Sequence, residues 1–228
     1  MKCLKKIVQT LFALLVVVAI SSCKNETTQE ERNLVVNKEI AKAEKPMSAA
    51  TGYVIGDEAT GFNLMNTDLS MVGLTDYPDA LGFIIIFTCN TCPYAVASED
   101  RIIALDAEFK DKGYPVIAIN PNDPAVQPDD TFELMQKKAT DKGFTFPYLY
   151  DENDKVYAAY GAKKTPHVYL LQKEAGKNIV KYIGAIDDNV RRASAVNETF
   201  LANAVNELLA GKEVSVKETK AIGCSIKV

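Results

Sequence analysis

Dense basic runs, glycine-rich loops and a second Cys-x-x-Cys pair are missing from this chain of 228 residues, and histidine occurs once. With no clustered Lys or Arg beyond the first few residues, and a formal net charge of −4, nothing suits a phosphate backbone. Nucleic acid is therefore excluded as a partner. Glycines that fall singly leave no loop to cradle a nucleotide's phosphates, no block of sequence repeats, and no feature asks for a cofactor. Trp is absent too, which excludes nothing. Cysteine is sparse for a disulfide-stapled scaffold: five residues, Cys3, Cys23, Cys89, Cys92 and Cys224, in a chain long enough to hold a core unaided. What is present, 47% hydrophobic and 25% charged residues, fits one globular domain with appendages.

The apolar stretch at residues 11–20 is short for a membrane span, which needs ~20 residues. With Lys2, Lys5 and Lys6 ahead of it, it has the make-up of a signal peptide. It ends Ala19-Ile20-Ser21-Ser22-Cys23, and small residues directly before a cysteine resemble the lipobox of bacterial lipoproteins. That resemblance implies cleavage after residues 1–22, lipid on the Cys23 sulfur, and attachment to a bacterial membrane, periplasm-facing or outer. An ordinary secretory signal or an uncleaved anchor are the alternatives. Cleavage removes three lysines and no acid, so the net charge moves from −4 to −7. Residues 23–51, polar and poor in aromatics, are expected to form a flexible tether.

From residue 52 the patterning becomes that of a folded domain, expected over 52–211 with a tail at 212–228. Apolar residues flanking Asn66-Thr67-Asp68 predict a hairpin. The apolar run at 81–87 predicts a strand buried on both faces. Helical spacing follows from Pro93 towards Gly113, then a strand at 115–119, a Pro/Asp/Asn loop, a helix at 131–140 and a strand at 146–150. A short helix at 155–160, strands at 168–171 and 179–183 that pair across the polar turn at 173–178, and a helix at 195–209 complete an α/β order with crossovers and mostly parallel strands.

Cys89 and Cys92 fall where the buried strand gives way to a helix. Unpaired N–H groups and the helix dipole favour a thiolate there, and the thiolate is the reactive form. Two intervening residues bring the second sulfur back within bonding reach over one turn. Cys89 is expected to be the attacking, more exposed thiol, and Cys92 the resolving one. Half of a zinc site or an inert disulfide are the competing readings, although zinc asks for four ligands. Adjacent acids, Asp129 with Asp130 and Asp187 with Asp188, read as solvated turn and cap residues.

The order of elements, Cys89-x-x-Cys92-Pro93 and the later Thr165-Pro166 together resemble the thioredoxin superfamily. More closely, FTCNTCPYA (87–95), VIAINPND (116–123), FPYLYDE (146–152), YGAKKTP (160–166), IDDN (186–189) and AIGCSIK (221–227) are similar to redoxins related to the alkyl hydroperoxide reductase/thiol-specific antioxidant group. The resemblance implies a thioredoxin-like fold, a central mixed sheet flanked by helices with an N-terminal hairpin extension. It implies a cis Thr165-Pro166 turn facing the cysteines, where the Thr165 backbone pairs with a substrate strand. It implies thiol–disulfide exchange with a protein disulfide substrate and an electron-donating thiol protein. Hydroperoxide reduction and copper or zinc binding are alternatives. Peroxidases of the group carry a proline and a hydroxyl residue at fixed positions before the reactive cysteine; here Ile86 stands three before Cys89 and Cys89 three before Cys92, so neither cysteine has them. Cys224 is expected near the site, either as a third redox thiol pairing with Cys89 or as an unpaired tail cysteine. His167 would lie close to Cys89, moving protons or completing a Cys₃His metal set, unless it is a plain strand-end histidine.

Overall fold

The computed structural model describes residues 52–152 and 156–228; the signal segment, Cys3, Cys23 and the tether lie outside the described residues. Strands β1 (Asn63–Asn66) and β2 (Met71–Gly73) form the predicted hairpin around Thr67 and Asp68. The apolar run becomes β3 (Gly82–Phe87), buried along its whole length. It lies parallel to β4 (Val116–Asn120), with Ile84 opposite Val116 and Phe87 opposite Ile119. Next come β5 (Tyr148–Tyr150), β6 (Lys164–Thr165), β7 (His167–Glu174), β8 (Lys177–Gly184) and β9 (Cys224–Ser225). Seven strands make one sheet in the order β2-β1-β5-β4-β3-β7-β8, and β6 pairs with β9.

Alternation along β3 builds two cores, because successive side chains point to opposite faces. Ile84 and Ile86 join Val116, Ala118, Val168 and Leu170 beneath α2 (Glu99–Phe109), α3 (Phe132–Lys142) and α5 (Phe200–Leu209). Phe83, Ile85 and Phe87 face the other way, against Ile117, Leu149, Tyr169 and Tyr160 of α4 (Val156–Tyr160). Burial on both faces is what lets a strand be apolar throughout.

Three sequence expectations change. The sheet is mixed, as the resemblance implies, but it is not mostly parallel: β3–β4 and β4–β5 are parallel, whereas β1–β2, β1–β5, β3–β7 and β7–β8 are antiparallel. Alternating short elements do not distinguish a crossover from a reversal; the β7–β8 hairpin itself is as expected, closed by a two-residue turn at Ala175 and Gly176, both at positive φ. The helix after the cysteines is two helices, α1 (Pro93–Val96) and α2. Ser98 Oγ donates to the Tyr94 carbonyl at 2.8 Å, a back-bond that bends helices while leaving the apolar spacing intact. Helix α5 starts at Phe200 rather than 195 because the preceding residues are held by the neighbouring loop: Asn197 N–H donates to Asp188 Oδ1 and Asp188 N–H to the Glu198 carbonyl. No helix among the described residues is long and apolar enough to cross a membrane.

Candidate active site

Thr88 continues the β3 ladder by donating its N–H to the Ile119 carbonyl at 2.9 Å. Cys89 therefore follows directly on the buried sheet, and only Cys92 reaches the start of α1, with Pro93 as the first helical residue. Both cysteines are reduced and both are covered, 3% and 5% exposed. The expectation that Cys89 is the more exposed thiol is overturned: it sits too close to the end of a core strand to reach the surface.

The Thr165–Pro166 peptide is cis, as the resemblance implies, and Thr165 touches both sulfurs. Its hydroxyl is 3.2 Å from Cys89 Sγ, and its carbonyl oxygen is 3.2 Å from Cys92 Sγ, which donates to it as a thiol. The two sulfurs titrate in opposite directions. A hydrogen bond from the Cys89 thiol favours ionisation of Cys92, outweighing burial, with further help from the Cys224 thiol and the Ala95 N–H. Cys89 is pushed well up, because it is the donor to Cys92 and because it is buried, with a contribution from Asp130.

Cys224 also joins the cluster, packing against Cys89, Cys92 and Ala95. Its thiol is within hydrogen-bonding reach of Cys92. Backbone register brings it there: β9 runs antiparallel to β6 with Cys224 opposite Thr165. Burial, then the hydrogen bond to Cys92, raises the Cys224 thiol to about 11.

Asp130 contradicts its reading as a solvated turn residue. It is fully buried, and its carboxylate accepts from Asn90 N–H (2.6 Å), Asn120 Nδ2 (3.2 Å) and Asn122 Nδ2 (2.7 Å). Asn90 in turn accepts from the Tyr148 hydroxyl at 2.9 Å. The loop between the cysteines is thus held by a buried carboxylate that lies 38 residues beyond Cys92 in sequence, a distance no local motif signals. Asp187 is likewise covered and ion-paired with Arg101, which also donates to the Asn189 and Val190 carbonyls. Asp188 is exposed, as expected of a turn residue, and accepts from Asn197 N–H.

Residues 55–183 match the AhpC/TSA family. The chain belongs to this family. Its thioredoxin-like sheet agrees with that membership. The chain is 25% identical over 136 residues to thiol-disulfide oxidoreductase ResA of Halalkalibacterium halodurans, covering 59% of this chain and 72% of that protein. Among solved structures, an uncharacterized conserved protein from Geobacillus kaustophilus is 35% identical with a TM-score of 0.71, over 77% of this chain and 93% of its own. A hypothetical protein from Sinorhizobium meliloti 1021 is 30% identical with a TM-score of 0.71, over 78% and 96%.

The His167 ring packs on Tyr169, 4.9 Å between centroids, and its Nδ1 is buried without a hydrogen-bond partner. Among the described residues no group of three or more His, Cys, Asp and Glu side chains is arranged to hold a metal ion. Burial, then the nearby Lys163 charge, lowers the imidazole to about 4. The unfolded chain takes up this proton near 6.5, so stability present above pH 6.5 should fall as pH drops towards 4. The loss is on the order of 3 kcal/mol by linkage. Unfolding titrations of the wild type and a His167→Gln variant check this: the variant should lack that part of the pH dependence, and parallel curves would rule it out.

Proposed function

We propose that this redoxin is a thiol–disulfide oxidoreductase acting on protein disulfides through Cys89 and Cys92, with Cys92 as the attacking thiol. The observation that carries the reading is the contact of one residue, Thr165, with both reduced sulfurs at 3.2 Å. That arrangement keeps the pair together beneath a backbone segment able to receive a peptide strand. The assignment of roles reverses the order expected from sequence, because the sulfur at the start of α1 is the one whose neighbours favour ionisation.

In the reductive direction the Cys92 thiolate attacks one sulfur of the substrate disulfide. That S–S bond breaks, a substrate thiolate leaves, and a mixed disulfide forms. Cys89 then attacks the Cys92 sulfur and expels the second substrate thiolate, which takes up the Cys89 proton. The product is a Cys89–Cys92 disulfide, and two electrons have passed to the substrate. A dithiol protein resets the pair by the same steps in reverse. The lipobox-like Ala19–Cys23 segment supports a working place in the bacterial envelope, with lipid on Cys23.

The test is redox cycling of the full chain. Equilibration in glutathione buffers, followed by alkylation and peptide mass mapping, should show a Cys89–Cys92 disulfide that forms and opens reversibly. The reduced protein should also reduce insulin disulfides. If the two thiols stay alkylatable throughout the glutathione range, the reading fails. Hydroperoxide consumption with no disulfide reduction would move the activity to the antioxidant alternative.

A further inference from the structure

The last residues of the chain occupy the strand position beside the cysteines. Besides the β6–β9 register, Ile226 N–H donates to the Lys163 carbonyl at 3.3 Å and Lys164 Nζ to Ser225 Oγ at 3.1 Å. Lys227 N–H donates to Asn122 Oδ1 at 2.9 Å, and its carbonyl accepts from Asp123 N–H at 2.7 Å. Gly223 permits the approach. A Cβ there would collide with the Thr165 carbonyl oxygen and stand 2.7 Å from its carbon. An extended segment pairing antiparallel with a short edge strand is how peptides add to a sheet edge. Here the added strand belongs to the chain itself and carries a cysteine.

We propose that Cys224 is a third redox thiol, taking the disulfide over from Cys89 and presenting it to the external reductant as a Cys92–Cys224 bond. The proposal rests on the reading of Cys89 and Cys92 as the redox pair. Access decides why a relay is useful. Exchange requires an incoming thiolate to reach a sulfur, and a Cys89–Cys92 disulfide would lie between two covered residues beneath β9. Cys224 alone of the three is partly exposed.

The steps balance without an added oxidant. The Cys224 thiolate attacks the Cys92 sulfur, the Cys89–Cys92 bond breaks, and Cys89 leaves as a thiolate that takes up the proton lost by Cys224. A donor dithiol then attacks the Cys224 sulfur and expels Cys92. Its second thiol attacks the mixed disulfide, releasing Cys224 as a thiol and the donor as a disulfide. The two electrons come from the donor. Cys92 is the better leaving group at that point, since thiols with lower pKa leave faster.

The test uses full-length Cys89→Ser, Cys92→Ser and Cys224→Ser variants, oxidised with glutathione disulfide, alkylated and mapped by mass spectrometry. Cys89→Ser should join the peptide bearing Cys92 to AIGCSIK, whereas Cys92→Ser should leave Cys224 unjoined to Cys89. Cys224→Ser should still form the Cys89–Cys92 disulfide, while its re-reduction by thioredoxin slows about tenfold. Gly223→Ala in the Cys89→Ser background should lower the yield of the joined peptide several-fold. If Cys89→Ser forms no Cys92–Cys224 bond while the wild type still forms Cys89–Cys92, the relay is overturned and the function stands. If the wild type forms neither bond, both fall. A Cys89–Cys224 bond in Cys92→Ser also overturns the relay.

Discussion

Cys92→Ser should abolish disulfide reduction, lowering turnover at least ~10³-fold, because it removes the attacking atom itself. Cys89→Ser should behave differently. Combined with Cys224→Ser, so that neither neighbouring thiol can resolve, it keeps the nucleophile and should accumulate mixed disulfides joined through Cys92. Trapping on a protein disulfide substrate, followed by mapping of the attached sulfur, measures the contrast. Neighbouring groups, rather than chain order, set the two roles. Cys92 has the Cys89 and Cys224 thiols and the Ala95 N–H to stabilise its charge. Cys89 is covered, donates to Cys92, and lies near the Asp130 carboxylate. In the wild type, alkylation of Cys92 should remain fast from pH 8 to below 7, where an ordinary thiol slows about tenfold per unit. Mixed disulfides that accumulate on Cys89 in a Cys92→Ser variant would restore the order read from the sequence.

Asp130→Ala should lower the unfolding free energy by about 3–5 kcal/mol, measured by denaturant titration. Three donors converge on this carboxylate, from Asn90, Asn120 and Asn122. Truncation strands all three in the interior, and hydrogen bonds to a charged group are each worth about 1.5–3 kcal/mol. The effect should extend beyond stability. Asn90 lies between the cysteines, and Asn122 Oδ1 receives Lys227 N–H from the terminal strand. Loss of Asp130 therefore loosens the redox loop and the strand above it together, and removes a negative charge that opposes ionisation of Cys89. Cys89 should then alkylate faster at neutral pH. A loss of stability below about 1 kcal/mol, with unchanged alkylation, would show that the carboxylate organises neither.

Features set by neighbouring residues were readable in advance. The uninterrupted apolar run ending at Phe87, the hairpin around Thr67 and Asp68, and the Cys89–Cys92 spacing all express local rules of periodicity and turn chemistry. The roles of the two sulfurs depended on where the helix starts. Pro93 was a usable signal for that, since proline favours the first helical position and leaves Cys92 as the residue before it. Contacts between distant segments were not readable. Nothing beside Asp130 announces Asn90, nothing beside Cys224 announces Thr165, and an acidic pair in a loop looks the same whether it meets water or, as Asp187 does, a guanidinium.

The terminal strand has a consequence for partner selection. Because it is covalently attached, dilution does not weaken its hold on the slot beside Thr165. Every visiting polypeptide competes against the same internal rival, and its apparent affinity is scaled by the fraction of molecules in which that slot stands open. Such a gatekeeper favours visitors that make contacts beyond the one strand, and turns away unstructured chains that offer only a cysteine.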